Sequence, residues 1–241
     1  KDILTSFSWK SVLLSTSILA SFGGLLLLIL VPNGPYRKAS KTLDLKICFT
    51  VFKNIKFRKA AFGYFGHMWE LYTFWAFVPI LLKTYQNTHS SVHFNIPLFS
   101  FFVIAVGGLS CVLGGYLAQK FGARKIAFSA LLLSCICCLI SPLLFFINNE
   151  ILFISFLLFW GMVVIADSPL FSTLVAQNAP EKDKGTALTI VNCIGFTITI
   201  ISIQFISNIQ EITDSNFIYA LLGIGPIIGL AALKNKSASI N

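Results

Sequence analysis

Apolar runs of about 20 residues follow one another along this chain, near positions 11–31, 60–82, 97–117, 126–147, 151–174, 185–207 and 216–233. A run of that length matches the roughly 30 Å hydrocarbon thickness of a bilayer. The runs do not alternate. LLLLILV (25–31) and FISFLLFWGMVVI (153–165) are apolar all round, whereas barrel strands alternate over about ten residues. Helices satisfy their own backbone hydrogen bonds in lipid, so the pattern predicts an all-α polytopic membrane protein with seven transmembrane helices. Pro142 and Pro226 fall inside two of these runs and predict kinks. The first run has a long apolar core and is followed by VPNGPYRK rather than a small-residue cleavage site, so it reads as a span and not a signal peptide.

Composition agrees with that reading. The 241 residues are 56% hydrophobic and 11% charged, with a mean hydropathy of +0.82; soluble domains carry roughly 25% charged residues. The net charge of +9 sets orientation. Between the first and second runs lie Arg37, Lys38, Lys41, Lys46, Lys53, Lys56, Arg58 and Lys59. Lys120, Arg124 and Lys125 follow the third run, Lys182 and Lys184 the fifth, and Lys234 and Lys236 the last. Every lysine and arginine except Lys1, Lys10 and Lys83 therefore falls on one side. The positive-inside rule puts that side in the cytoplasm, the N-terminus outside and the C-terminus inside. These cations meet lipid headgroups; nothing in their distribution calls for nucleic acid. The cysteines imply no disulfide framework, and CICC (135–138) reads as small packing residues in a lipid-depth helix. Cys48 lies in the cytoplasmic segment.

The organisation that follows is a lone helix (1–31), a basic cytoplasmic segment (32–59) lying partly helical on the membrane face, six closely spaced helices (60–233) and a cytoplasmic tail (234–241).

GGYLAQKFGARK (114–125) resembles the loop signature of the major facilitator superfamily, matching at Gly115, Lys120, Gly122, Arg124 and Lys125. Gln119 stands where that family usually has aspartate, so the charged pairing of the loop is weakened. NAPEKDKGTA (178–187), with Pro180, Glu181, Lys184 and Gly185, resembles the equivalent loop of the second repeat. LVPNGP resembles the exit of the family's sixth helix, and GYFGHMWELY and ADSPLFSTLV resemble stretches of a bacterial branch. The resemblance implies helices six to twelve of a twelve-helix transporter, with 60–233 as the C-terminal half-bundle. It also implies a missing N-terminal half, from the same gene or a separate chain, and residence in the inner (cytoplasmic) membrane. A degraded or split gene product is the alternative.

The chemistry sits where polar residues interrupt apolar runs. Ten residues at about 1.5 Å each put Glu70 roughly 15 Å into the second span, where an acid costs about 3 kcal/mol. His67 is three residues earlier and on the same face. An imidazole beside a carboxyl can exchange a proton, so a proton or substrate site is one reading; hydrogen bonding to each other or to a neighbouring helix that only fixes packing is the other. Trp69, Tyr72, Thr73 and Phe74 are candidates for a solute-lining wall. Asp167 lies about 24 Å in from the outer side. Ser168-Pro169 reads as an N-cap and first helical position, predicting a break with a coupling or gating role for Asp167, or a kink with Asp167 paired to a cytoplasmic basic residue such as Lys120 or Arg124. In the sixth span Thr186, Thr189, Asn192, Cys193, Phe196 and Thr197 form a mildly polar stripe; Asn192 and Phe196 are the solute candidates, and the threonines read as interhelical glue.

Two ligands on one helix are too few for a metal, no phosphate-binding loop is present, and no cofactor is expected. The resemblance implies a secondary transporter moving a small organic solute or anion by alternating access, with protons as coupling ion, and not an enzyme. A membrane enzyme has only His67 and Glu70 to draw on. A retinal-type receptor would need a lysine within 216–233, which has none.

Overall fold

In the computed structural model, residues 9–32, 47–213 and 215–234 are described. The start of the lone-helix segment, residues 33–46 of the basic segment with Arg37, Lys38, Lys41 and Lys46, the side chain of Cys48, and the tail beyond Lys234 lie outside the described residues.

The helices are α1 (Trp9–Leu30), α2 (Ile47–Thr50), α3 (Ile55–Thr88), α4 (Ile96–Phe121), α5 (Ala123–Leu144), α6 (Glu150–Ala166), α7 (Ser168–Asn178), α8 (Lys184–Ile212) and α9 (Ile224–Lys234). Short 3₁₀ turns occupy Val51–Lys53 and Glu181–Asp183, and a longer one, Asn216–Gly223, leads into α9. The chain divides into two compact units after Asp44. The first contains α1, a 22-residue apolar helix. The second contains α2 to α9, in which α3, α4, α5, α6 with α7, α8, and α9 with its 3₁₀ lead-in make six rods.

Local chemistry sets the element ends. Asn54, Asn95 and Asn149 cap α3, α4 and α6, each side chain accepting from a backbone N–H in the first turn. Gly122 joins α4 to α5 at φ +91°, a conformation that a side chain would strain, which accounts for a glycine within the loop signature. Proline explains the two broken rods. Pro169 has no N–H and clashes with the carbonyl four residues back, and the helix breaks at Asp167. Pro226 acts likewise on the last rod, whose first half is 3₁₀. The cap of α7 is Asp167 rather than the expected Ser168, and no side-chain cap bond forms there.

Six of the seven predicted spans fall on described helices long and apolar enough to cross a membrane. The predicted span at 60–82 is the exception. It lies in α3, which starts ahead of the expected position and runs for 34 residues, about 50 Å at 1.5 Å per residue, yet falls short on apolarity. Its surroundings give the reason. α3 packs against α4, α6, α7, α8 and α9, so it meets protein on most sides and need not present lipid-compatible side chains all round.

The core has two apolar clusters, one at each end of the bundle. Phe57, Ala61, Tyr64, Met68, Leu131, Phe171 and Val175 belong to one; Leu71, Phe74, Tyr85, Cys138, Phe153, Trp160 and Tyr219 belong to the other. A thin polar layer separates them. At the closest helix crossings small residues replace side chains. A Cβ added at Gly66 would strike the Gly225 carbonyl, and one at Gly161 the Val103 carbonyl. Gly66→Ala and Gly161→Ala are each expected to lose about 1–3 kcal/mol by overpacking. Gly108→Ala, with open space at its Cβ, should not. Thermal unfolding of the three purified variants in one detergent checks this.

Candidate functional site

The polar layer is built from three directions. α3 supplies His67 and Glu70, one helical turn apart and each 1% exposed. α5 supplies Ser134 and Cys138, again one turn apart, and α6 supplies Trp160 and delivers Asp167 at its broken end; these four are equally buried. Each residue belongs there because its neighbours in sequence lie in the two apolar clusters, Tyr64 and Leu71 on either side of the α3 pair, Leu131 and Cys138 around Ser134, and Val164 and Phe171 around Asp167.

Glu70 Oε1 accepts three hydrogen bonds. Trp160 Nε1 donates at 2.7 Å, Cys138 Sγ at 3.1 Å, and the Ser134 hydroxyl more closely still. The Trp160 ring is itself fixed against Phe74, centroids 4.3 Å apart. His67 does not pair with Glu70, as one sequence reading had it. Its Nδ1 lies 2.8 Å from Asp167 Oδ1. That is ion-pair distance, and His67 Nε2 has no hydrogen-bond partner among the described residues. Asp167 likewise does not reach Lys120 or Arg124. Lys120 lies over the Phe121 ring, 5.4 Å from its centroid, and Arg124 donates to the Leu233 carbonyl. The break at Pro169 is the cause, because it turns the Asp167 side chain inward toward α3.

Charge counting defines what this layer can do. One imidazolium balances one carboxylate. The second carboxyl is neutral only when it carries a proton, and among the described residues no Lys or Arg enters the layer to balance it. A buried charge without a partner is costly. Among the described residues no cluster of His, Cys, Asp and Glu could hold a metal ion.

A family model described as Major Facilitator Superfamily matches residues 3–203, which covers most of the 241-residue chain. The chain belongs to the major facilitator superfamily. It is therefore a multi-pass membrane protein of a transporter family. A comparison with curated proteins found no match.

The remaining candidates in this facilitator bundle scatter around the polar layer. Thr73 is fully buried and donates to Ser202 on α8 at 2.8 Å, while Ser202 donates to the Trp69 carbonyl at 2.6 Å. Phe74 is enclosed in the core. Trp69 is half-buried, its Nε1 on the Leu221 carbonyl at 3.3 Å. Tyr72 meets Trp75 and Phe196, centroids 5.4 and 5.6 Å away; Phe196 is half exposed, and Asn192, one turn before it, is exposed. Tyr72 and Phe196 thus meet between α3 and α8, with Asn192 one turn along the same face of α8.

The helix glue differs from expectation. Thr189 and Thr197 bond to carbonyls of their own helix. It is Thr199 and Ser202 that bond across to α3, at the Met68 and Trp69 carbonyls. In the loop signature, Gly114 rather than Gly115 makes the close approach, its Cβ position 3.0 Å from the Ala166 carbonyl. Gln119 and Lys125 are exposed. Three members of the site escaped the sequence reading: Ser134, Cys138 and Trp160. The signals were present. Ser134 and Cys138 are four apart, hence on one helix face, and a buried indole N–H needs an acceptor.

Proposed function

We propose that this facilitator is a proton-coupled secondary transporter of a small organic solute or anion, in which His67, Glu70 and Asp167 carry the coupling proton. The single observation behind this reading is the buried layer of two carboxyls against one imidazole. Among the described residues, the ionisable groups near this layer besides His67, Glu70 and Asp167 are Cys138 with its neighbours Cys135 and Cys137 on α5, Tyr64 beside His67 on α3, and Cys111 on α4. Because Trp160, Ser134 and Cys138 all converge on Glu70 Oε1, protonating Glu70 changes how α3 is held to α5 and α6. That links a proton to a helix rearrangement, as alternating access requires.

The solute is proposed to meet the seam of Tyr72, Trp75, Phe196 and Asn192. The buried Trp75 Nε1 has no hydrogen-bond partner among the described residues, which leaves a donor beside an aromatic wall. The working cycle needs a second bundle opposite this one, in the same polypeptide or in a separate chain, and the cytoplasmic membrane is the proposed location. The test uses the polypeptide as expressed from its gene, reconstituted in vesicles with a trapped pH indicator. Candidate organic solutes and anions are added in turn. The proposal expects one of them to move protons across the membrane in step with its own uptake. Uptake of a solute with no accompanying proton flux at any pH would refute the coupling.

A further inference from the structure

At the bundle end where α3 and α5 begin and α7 and α9 finish, a cavity of about 210 Å³ is lined by Lys56, Lys59, Ala60, Arg124, Leu174, Asn178 and Leu233. We propose that this cavity binds a phosphate group, and that the proton-handling reading above neither requires nor excludes it. Three cations from two helices converge on one concave site whose lining contains no carboxylate. Among the described residues, no Asp or Glu lies within ion-pair distance of Lys56 or Arg124.

Rigid elements hold the site open. Asn54 ties the start of α3 to the end of α7 by donating to the Asn178 backbone carbonyl at 3.1 Å. One guanidinium nitrogen of Arg124 reaches the Leu233 carbonyl at the end of α9. A guanidinium has five N–H donors in a fixed fork, so capping α9 leaves donors that match a phosphate's oxygens bidentately, with Lys56 supplying a second, mobile ammonium.

Two sources present the same chemistry, an anionic lipid headgroup at the membrane surface and a free phosphate. The experiment separates them. The full chain is purified into nanodiscs of phosphatidylcholine with or without phosphatidylglycerol, and lipid retained after detergent release is counted by native mass spectrometry. Inorganic phosphate is added at rising concentration to a parallel sample. Preferential retention of phosphatidylglycerol, weakened about fivefold in Lys56→Gln and unchanged in Lys83→Gln, supports the site with lipid as its source. Displacement of that lipid by phosphate, or a phosphate-dependent rise in unfolding temperature lost in Lys56→Gln, supports the site with free phosphate. Arg124→Gln should act in the same direction; since it also uncaps α9, Lys56→Gln decides. Equal retention of both lipids with no effect of phosphate, or equal losses in Lys56→Gln and Lys83→Gln, overturns the proposal.

Discussion

Glu70→Gln is expected to reduce proton-driven uptake to background while leaving the protein folded and inserted. The glutamine carbonyl occupies the place of Oε1 and still accepts from Trp160 and Ser134, so the contacts that hold α3 to α5 and α6 survive. What is lost is the exchangeable proton. Glu70→Ala separates the two roles. It strands the indole N–H, the hydroxyl and the thiol in an apolar interior, each unmade bond costing about 1–3 kcal/mol, so it should lower both uptake and unfolding temperature. Uptake against a pH gradient, measured beside detergent unfolding curves for both variants, checks the pair. Unchanged pH-dependent uptake in Glu70→Gln would remove Glu70 from the mechanism.

The largest stability effect is expected at the His67–Asp167 pair. Removing one partner of a buried ion pair leaves an uncompensated charge and typically costs about 3–5 kcal/mol. His67→Ala should suffer that loss in full, because Asp167 has no other cation in contact among the described residues. Asp167→Asn should lose less, since an imidazole can shed its charge where a lone carboxylate must gain a proton. The double variant His67→Ala, Asp167→Asn should be less destabilised than the sum of the singles, with a coupling of about 0.5–3 kcal/mol. Strict additivity in a double-mutant cycle of unfolding free energies would mean that the 2.8 Å contact contributes nothing.

Much of this architecture was legible in the chain. Uniform apolar runs can only be spans, and polar residues within them stand out because lipid penalises them, which is how His67, Glu70 and Asp167 were found. The proline break beside Asp167 was legible for the same reason, as a local steric rule. Partners were not. A sequence tells which face of a helix a residue occupies but not which helix meets that face, so the partner of His67 stays open between Glu70 and a neighbouring helix until the fold shows its contact with Asp167, a hundred positions on. The same limit hid Trp160, Ser134 and Cys138. It also hid which face of α8 meets α3: Gly195, Thr199 and Ser202 are buried, while Asn192 and Phe196 stand at exposed positions. The low apolarity of α3 was visible in sequence but its cause, enclosure by its neighbours, belongs to the assembled bundle.

The central claim is that the buried layer takes up and releases a proton at Glu70. Infrared difference spectra of the purified chain in lipid, recorded across a pH titration in the carboxylic C=O stretching region, test it without knowledge of the solute. The account predicts that one titrating carboxyl band of the unmodified chain is absent from Glu70→Gln and retained in Lys83→Gln. Superimposable titrations of the unmodified chain and Glu70→Gln would contradict it.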